Sequence, residues 1–424
     1  MQKTILKSLL VVSIQLSVFS LQLAAQTEPD VPFAAGVDIS WCTEMEADGM
    51  KFYDLSGNET EIYSLMKSIG MTATRIRVWV NPESSGPNGT AYGPWSNKAD
   101  VVAKAKRAAA AGLDILIDFH YSDYFADPGK QAKPAAWANY DFAQTQAAVA
   151  DHTRDVLGAI KAEGITVKWV QVGNETSGGM VYDDGRILWN TSSLAASWKR
   201  YADLSNAGYD AVKEIYPDAM VIVHHDQGEK DNSSYYQTFK QYGGKFDMIG
   251  LSYYPDWSDW EATNTLATKR LQSLYKTFRV PVMVVETGSS TWDTSKADGE
   301  EQTGDSEVAR QVFEDLFTKM MAKSGCRGIF YWEPEVYGGW SHNIDENGVE
   351  THDTGTYGEY HSSHGAFNMY GQPAIQLLAW RSRKDTPVEN VVSDKQPSTK
   401  VIRDGQLLIE RGGQTFTVLG NRIQ

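Results

Sequence analysis

The stretch Trp169-Val170-Gln171-Val172-Gly173-Asn174-Glu175 decides how the rest of the chain is read. Trp169, Val170 and Val172 have the short, β-branched, apolar character of a strand buried on both faces, and polar residues begin where that run stops. A carboxylate, Glu175, therefore stands at a strand exit. A second run, Val280-Pro281-Val282-Met283-Val284-Val285, ends in the same way at Glu286-Thr287. In a closed parallel barrel all strand exits converge on one face, so these two strands would bring one glutamate each to a common site.

Outward from these strands the same pattern repeats. Ala34 to Ser40 reads as strand one, carrying Asp38, and Asn58 is expected to cap a helix through Ile69 that Gly70 ends. In strand two, Thr72 to Val80, the residues Arg75, Arg77 and Trp79 share one parity and hence one face. Two arginines facing a barrel interior would be costly unless carboxylates meet them there. Strand three, Asp114 to His120, runs into Tyr121-Ser122-Asp123; strand five is Met220 to His225; strand six lies within Phe246 to Tyr254; strand eight is Gly328 to Trp332, followed by Glu333-Pro334-Glu335. Helical segments are expected at Asn97–Ala111, Asp141–Glu163, Leu194–Ile215, Thr263–Thr277, Asp305–Lys323 and Ala374–Arg381. Strands alternating with helices in this number predict an α/β fold, a (β/α)8 TIM barrel. An open doubly wound sheet fits less well, because polar or aromatic residues end nearly every strand rather than gathering at one switch point.

The barrel is expected over residues 27–383. Residues 1–26 carry Lys3 and Lys7 ahead of an apolar run from Ser8 to Leu23 and then Ala24-Ala25-Gln26, which reads as a cleavable secretory signal. The run is interrupted by Ser13, Gln15, Ser17 and Ser20 and is too short for a membrane span. The expectation is a secreted protein, placed in the periplasm, at the cell surface or outside the cell. Residues 384–400 turn to Lys, Asp, Pro, Ser and Thr and read as a linker, and residues 401–424 as a short C-terminal β-hairpin tail, Gln406–Glu410 paired with Gln414–Leu419.

The net charge of −15 argues against nucleic acid and anionic membrane surfaces as partners. Aromatic residues are plentiful, with 13 Trp and 21 Tyr, and those at strand exits suit stacking on neutral sugar rings. Cys42 and Cys326 fall at opposite ends of neighbouring strands, too far apart for a disulfide, so both are expected as free thiols.

Two strand-exit carboxylates flanked by arginine, asparagine, tyrosine and tryptophan suit glycoside hydrolysis with retention. One carboxyl group must hold a proton for the departing oxygen and the other must be ionised, so their surroundings must differ. Arg75 or Arg77 would hold Glu286 ionised, Tyr254 could donate a hydrogen bond to it, and Asn174 is placed to bond a sugar 2-hydroxyl. Trp332 could floor the reacting subsite and Trp95 could overhang it. Trp79, His120, Tyr121, Ser122, Asp123, His225 and Ser252 complete the expected binding face, with Asp123 bonding sugar hydroxyls. A metal-dependent hydrolase using His120, His224, His225 and Asp226 is the competing enzyme class. His224 and His225 point to opposite faces, so at most one of them can reach the site.

The segments Phe52-Tyr53-Asp54, Arg75-Ile-Arg-Val-Trp79, Asp118-Phe-His-Tyr-Ser-Asp123, Ala126-Asp127-Pro128, Gln171-Val-Gly-Asn-Glu175, Ser252-Tyr-Tyr-Pro255, Val285-Glu-Thr287 and Tyr331-Trp-Glu-Pro334 together resemble the family 53 glycoside hydrolases, in order and in strand register. That resemblance implies a retaining endo-β-1,4-galactanase acting on type I arabinogalactan, with Glu175 as acid/base and Glu286 as nucleophile. It implies β-1,4-galactan as the partner, a chain acting as a monomer, and no required cofactor. Bacterial members often bind calcium through an Asp-x-Asp-x-His-x-Asn run after strand seven. Here that loop departs from the pattern, although Asp293, Asp298 and Glu300 could still hold calcium. A β-1,4-mannanase or cellulase of the same clan shares the catalytic pair, and only the loops would separate it.

Overall fold

The computed structural model describes residues 32–83, 92–255, 259–288, 303–323, 325–337, 340, 365–368 and 370–383, with short strand segments at 343–344, 350–351, 398–403, 406–411 and 414–417. The segment 1–26, the loop carrying Asp293, Asp298 and Glu300, and most of the linker lie outside the described residues.

Eight parallel strands close into a barrel: β1 (Ala34–Asp38), β2 (Ala73–Val78), β3 (Asp114–Phe119), β4 (Trp169–Val172), β5 (Met220–His225), β6 (Met248–Ser252), β7 (Val282–Thr287) and β8 (Cys326–Trp332). Each pairs with its neighbours in chain order, and β1 closes on β8 through the register Ala34↔Gly328 to Asp38↔Trp332. Between the strands run α1 (Ile62–Ser68), α2 (Lys98–Ala110), α3 (Phe142–Ala162), α4 (Leu194–Ile215), α5 (Ser233–Gln241), α6 (Trp260–Phe278) and α7 (Thr303–Met321). Asn97 caps α2 by accepting from the Asp100 N–H, and Asp141 with Gln144 forms a capping box on α3.

Asn58 is not the cap of α1. The Asp54 carboxylate takes both the backbone N–H and the side chain of Asn58, which ties residues 54–58 into a turn, and Glu61 caps the helix instead. Elements without an expectation from periodicity include α5, the short helix Cys42–Ala47, and the two-residue ribbon Gly179–Met180 with Gly185–Arg186 after β4. The closing helix is a 3-10 helix, Ile375–Arg383. Its Trp380 packs on Phe313, Phe317 and Tyr331. Burying one such ring contributes on the order of 2–3 kcal/mol.

The barrel interior changes character along its axis. Its apolar part is filled by Ala34, Ala73, Leu116, Trp169, Ile222, Met248, Met283, Val285 and Phe330. Gly36 gives Phe330 its room, since a Cβ there would lie 2.1 Å from the ring. One inward-facing residue further along each strand stand Arg75, Asp118, Gln171 and His224, with Asp38 on β1, all buried. The polar layer therefore rests on an apolar floor that keeps its charges out of bulk water.

Cys42 and Cys326 are both free and buried. Residues from Arg383 onward form a separate unit, a three-stranded antiparallel sheet of β9 (Ser398–Arg403), β10 (Gln406–Arg411) and β11 (Gln414–Thr417). The expected hairpin thus has an extra strand, which begins inside the stretch read as linker. Among the described residues no helix is long and apolar enough to cross a membrane.

Candidate active site

Glu175 leaves β4 with φ +46°, just beyond Gly173 at φ +91°. These left-handed turns let the adjacent Asn174 and Glu175 both reach the polar layer, which an extended strand would not allow. Glu286 arrives differently. The β6–β7 register passes from Leu251↔Val284 to Ser252↔Glu286, and the β8–β7 register from Ile329↔Val284 to Tyr331↔Thr287. Both shifts insert one residue into β7, a bulge that sends Glu286 inward directly after the inward-facing Val285.

One carboxylate oxygen of Glu175, one of Glu286 and a ring nitrogen of His224 lie within 4.8 Å of one another. Around them Arg75 acts as a hub. Its Nη1 donates to Asp38 Oδ2 at 2.8 Å, its Nη2 to Asp118 Oδ2 at 2.7 Å and Asn174 Oδ1 at 2.6 Å, and its Nε to Gln171 Oε1 at 2.9 Å. The same Nη2 is 3.3 Å from Glu286 Oε2, and the Tyr254 hydroxyl donates to Glu286 Oε1 at 2.8 Å. Glu175 Oε1 accepts from Ser252 Oγ at 2.6 Å.

The two carboxyl groups differ electrostatically. Burial lifts Glu286, and Arg75 and Tyr254 pull it back, leaving it at about 7. Burial and then the charge of Glu286 push Glu175 well above the usual carboxylate range. Glu286 therefore ionises first, and Glu175 keeps the proton. Burial drives the His224 imidazole well below its ordinary value, with Arg75 acting in the same direction, so it is neutral. Burial would raise Asp118, but Arg75 and His120 hold it lower, as a carboxylate.

A half-buried Glu175 and a buried Glu286 thus face each other at the exits of the fourth and seventh strands. The family model described as glycosyl hydrolase family 53 matches residues 34–377. The chain belongs to glycosyl hydrolase family 53. It is 31% identical over 371 residues to a protein of Bacillus subtilis named endo-beta-1,4-galactanase, covering 82% of this chain and 82% of that one. It is 30% identical over 323 residues to an arabinogalactan endo-beta-1,4-galactanase of Cellvibrio japonicus, covering 72% of this chain and 81% of that one. A solved structure reported among two fungal beta-1,4-galactanases superposes with a TM-score of 0.67 at 26% identity, over 82% of this chain and 98% of the other.

In this family 53 chain several expected site residues sit together and several do not. Arg75, Asn174, Glu175, Ser252, Tyr254 and Glu286 converge as described, and Trp332 lies partly exposed at the end of β8. Arg77 turns away from Glu286: its Nη1 donates to Glu333 at 2.7 Å and its guanidinium lies 4.1 Å from the Trp41 ring and 4.6 Å from Phe125. Trp79 belongs to the same aromatic box and is fully buried, so it cannot floor a sugar. Tyr121 faces outward to α3, where its hydroxyl meets Thr153 at 2.7 Å, and is also fully buried. Both Asp123 oxygens accept backbone N–H groups, from Asn81 at 2.9 Å and Ala135 at 2.8 Å, which fastens two loops rather than a ligand. Ser122 is buried beside it, and Trp95 is half-buried. His120 bonds Asp118 through Nε2 at 2.9 Å and accepts the Ala126 N–H on Nδ1.

Of the paired histidines it is His224 that enters the barrel. His225 packs edge-on against Tyr235 of α5 at 4.6 Å. The proposed metal set of His120, His224, His225 and Asp226 is therefore split across the wall of the barrel. The alternative grouping of Glu175, His224 and Glu286 has the spacing of a metal site. It fits a cation poorly, because both His224 ring nitrogens are already in hydrogen bonds and the Arg75 cation stands against Glu286. Gln171, Asp38 and Asp118 join the site without having been singled out as ligands. For the two aspartates the signal was the need of an inward-facing arginine for carboxylates. A cavity of about 530 Å³ beside α3, lined by Val80, Trp137, Tyr140 and Asp151 among others, contains neither glutamate.

Proposed function

We propose that the chain is a retaining endo-β-1,4-galactanase that cleaves galactan and type I arabinogalactan by double displacement. The observation that carries this reading is the short separation of Glu175 and Glu286, in surroundings that leave one protonated and the other ionised. Retaining glycosidases place their carboxyl groups about 5–5.5 Å apart, whereas inverting enzymes leave about 6.5–9.5 Å for a water.

Glu286, oriented by Arg75 and Tyr254, attacks the anomeric carbon while Glu175 gives its proton to the departing glycosidic oxygen. Glu175, now ionised, removes a proton from the incoming water, which displaces Glu286 from the sugar. Asn174 spends its Oδ1 on Arg75 and one amide hydrogen on the Ala126 carbonyl, leaving its second hydrogen for a sugar 2-hydroxyl. Trp332, partly exposed at the end of β8, is the residue assigned to stack on the reacting sugar. None of these steps needs a cofactor; calcium at Asp293, Asp298 and Glu300 would serve loop stability. The substrate is a polymer outside the cell, which agrees with the export signal read at residues 1–26, and a monomer suffices because one chain supplies the whole site.

The test is a substrate panel of galactan, mannan, xylan and cellulose, read by released reducing ends and by the anomer formed first. Galactan cleavage giving the β-anomer is expected. Preference for mannan or cellulose would favour the clan relatives, and an α-anomer would overturn the mechanism.

A further inference from the structure

Counting protons around His224 fixes a direction for the hydrogen bonds behind Glu175. His224 Nδ1 faces two N–H donors, Gln171 Nε2 at 3.0 Å and the Glu175 backbone at 3.2 Å, so it is the bare nitrogen and the ring proton sits on Nε2. The orientation of Gln171 is set independently, since its Oε1 accepts from Arg75 Nε and its Nε2 also donates to Asp118 Oδ1 at 2.9 Å. Asn174 is fixed by its bond to the Ala126 carbonyl, so its Oδ1, 3.0 Å from Nδ1, is engaged by Arg75 rather than by the ring. His224 Nε2–H then donates to Ser252 Oγ at 2.9 Å, and the single Ser252 proton is donated to Glu175 Oε1 at 2.6 Å.

We propose that Gln171, His224 and Ser252 form a one-way chain of hydrogen bonds from Arg75 to Glu175, in which His224 and Ser252 are positioning residues that reserve Oε1 as an acceptor and so keep the acid proton on Oε2. The inference rests on the reading of Glu175 as acid/base. It links the two halves of the reaction: the cation that holds Glu286 ionised also sets, through three side chains, the geometry of the proton donor. The charged and titratable groups facing Glu175 are Glu286 from β7, Arg75 from β2, His224 from β5 with Asp226 just beyond it, and Tyr254 just beyond β6. Ser252 is the neutral donor among its neighbours, and its bond favours the ionised form of Glu175.

The experiment compares wild type with Ser252→Ala, Ser252→Thr, His224→Ala and Glu175→Gln on galactan and on aryl β-galactobiosides whose leaving groups span a range of acidity, across pH. Ser252→Ala is expected to lower kcat/KM on galactan by about 10- to 100-fold and on a dinitrophenyl leaving group by less than about 3-fold, because the latter needs no proton. Its alkaline pH limb should move upward, Ser252→Thr should restore both, and His224→Ala combined with Ser252→Ala should be no worse than the more impaired single variant. Equal losses across leaving groups, or an unmoved alkaline limb, would overturn the chain. Glu175→Gln separates this from the underlying assignment. If it shows the leaving-group dependence and azide rescue while Ser252→Ala does not, only the chain fails; if it shows neither, the acid/base assignment fails. Should Ser252→Ala not fold, as judged by circular dichroism, the decision passes to His224→Gln, which keeps the donor to Ser252 and is expected to retain the leaving-group profile that His224→Ala loses.

Discussion

Arg75 Nη2 stands 3.3 Å from Oε2 of Glu286 while the same nitrogen donates to Asp118 and Asn174 and the rest of the guanidinium is pinned by Asp38 and Gln171. The nucleophile is thus addressed by a cation that cannot swing away, and the buried cation is itself compensated by carboxylates on either side.

Arg75→Lys should therefore be far from conservative. A lysine keeps the charge but has no planar fork to hold four partners at once. We expect kcat on galactan to fall by at least about 100-fold with a smaller change in KM. Steady-state kinetics with near-wild-type kcat would refute the hub.

The pH dependence follows from the order in which the pair ionises. Activity in kcat/KM should rise as pH passes through about 7, where Glu286 loses its proton, and fall at higher pH as Glu175 does, with both limbs belonging to the coupled pair. A profile already maximal at pH 4 would contradict it.

Stability should run the other way. Glu286 in the folded chain keeps its proton up to about 7, whereas unfolded it ionises near the ordinary value of 4.5. Between those values the folded state binds more protons, so this residue's contribution to stability falls as pH rises. Glu286→Gln should match wild type at pH 4 and exceed it at pH 8 by on the order of 1–3 kcal/mol. Urea unfolding at the two pH values measures this, and no gain at pH 8 would count against it.

Arg77 and Glu333 form a buried pair, with Arg77 Nε and Nη2 lacking a hydrogen-bond partner among the described residues. Removing Glu333 alone leaves a buried charge held mainly by aromatic faces, and we expect Glu333→Ala to cost about 3–5 kcal/mol. Glu333→Leu with Arg77→Met should recover most of that loss. Thermal unfolding of the cycle decides it; additive losses would mean the pair is not the source.

Asp123 offers a cleaner discrimination between binding and support. Because its oxygens receive the Asn81 and Ala135 N–H groups, Asp123→Ala should lower stability by about 1–3 kcal/mol and leave KM for galactan within about 2-fold. A large KM increase with unchanged Tm would return Asp123 to the binding face.

The chain's own periodicity determined the barrel. Short apolar runs ending in polar residues and separated by capped helices admit few other arrangements, and they place Glu175 and Glu286 at strand exits without reference to any contact. Parity also showed that Arg75 and Arg77 share a face and that only one of His224 and His225 could enter the site. Only the tertiary structure decided which histidine that was, which arginine met Glu286, and that Trp79, Tyr121 and Asp123 are sealed inside or spent on backbone. Strict alternation along β7 would set Glu286 opposite Val285; the bulge that brings it inward is defined by pairing with β6 and β8. The reason is physical. A repeat of two fixes the relative facing of neighbours on one strand, but the partner a long polar side chain reaches depends on strands remote in sequence, whose register and local dihedrals no single segment encodes.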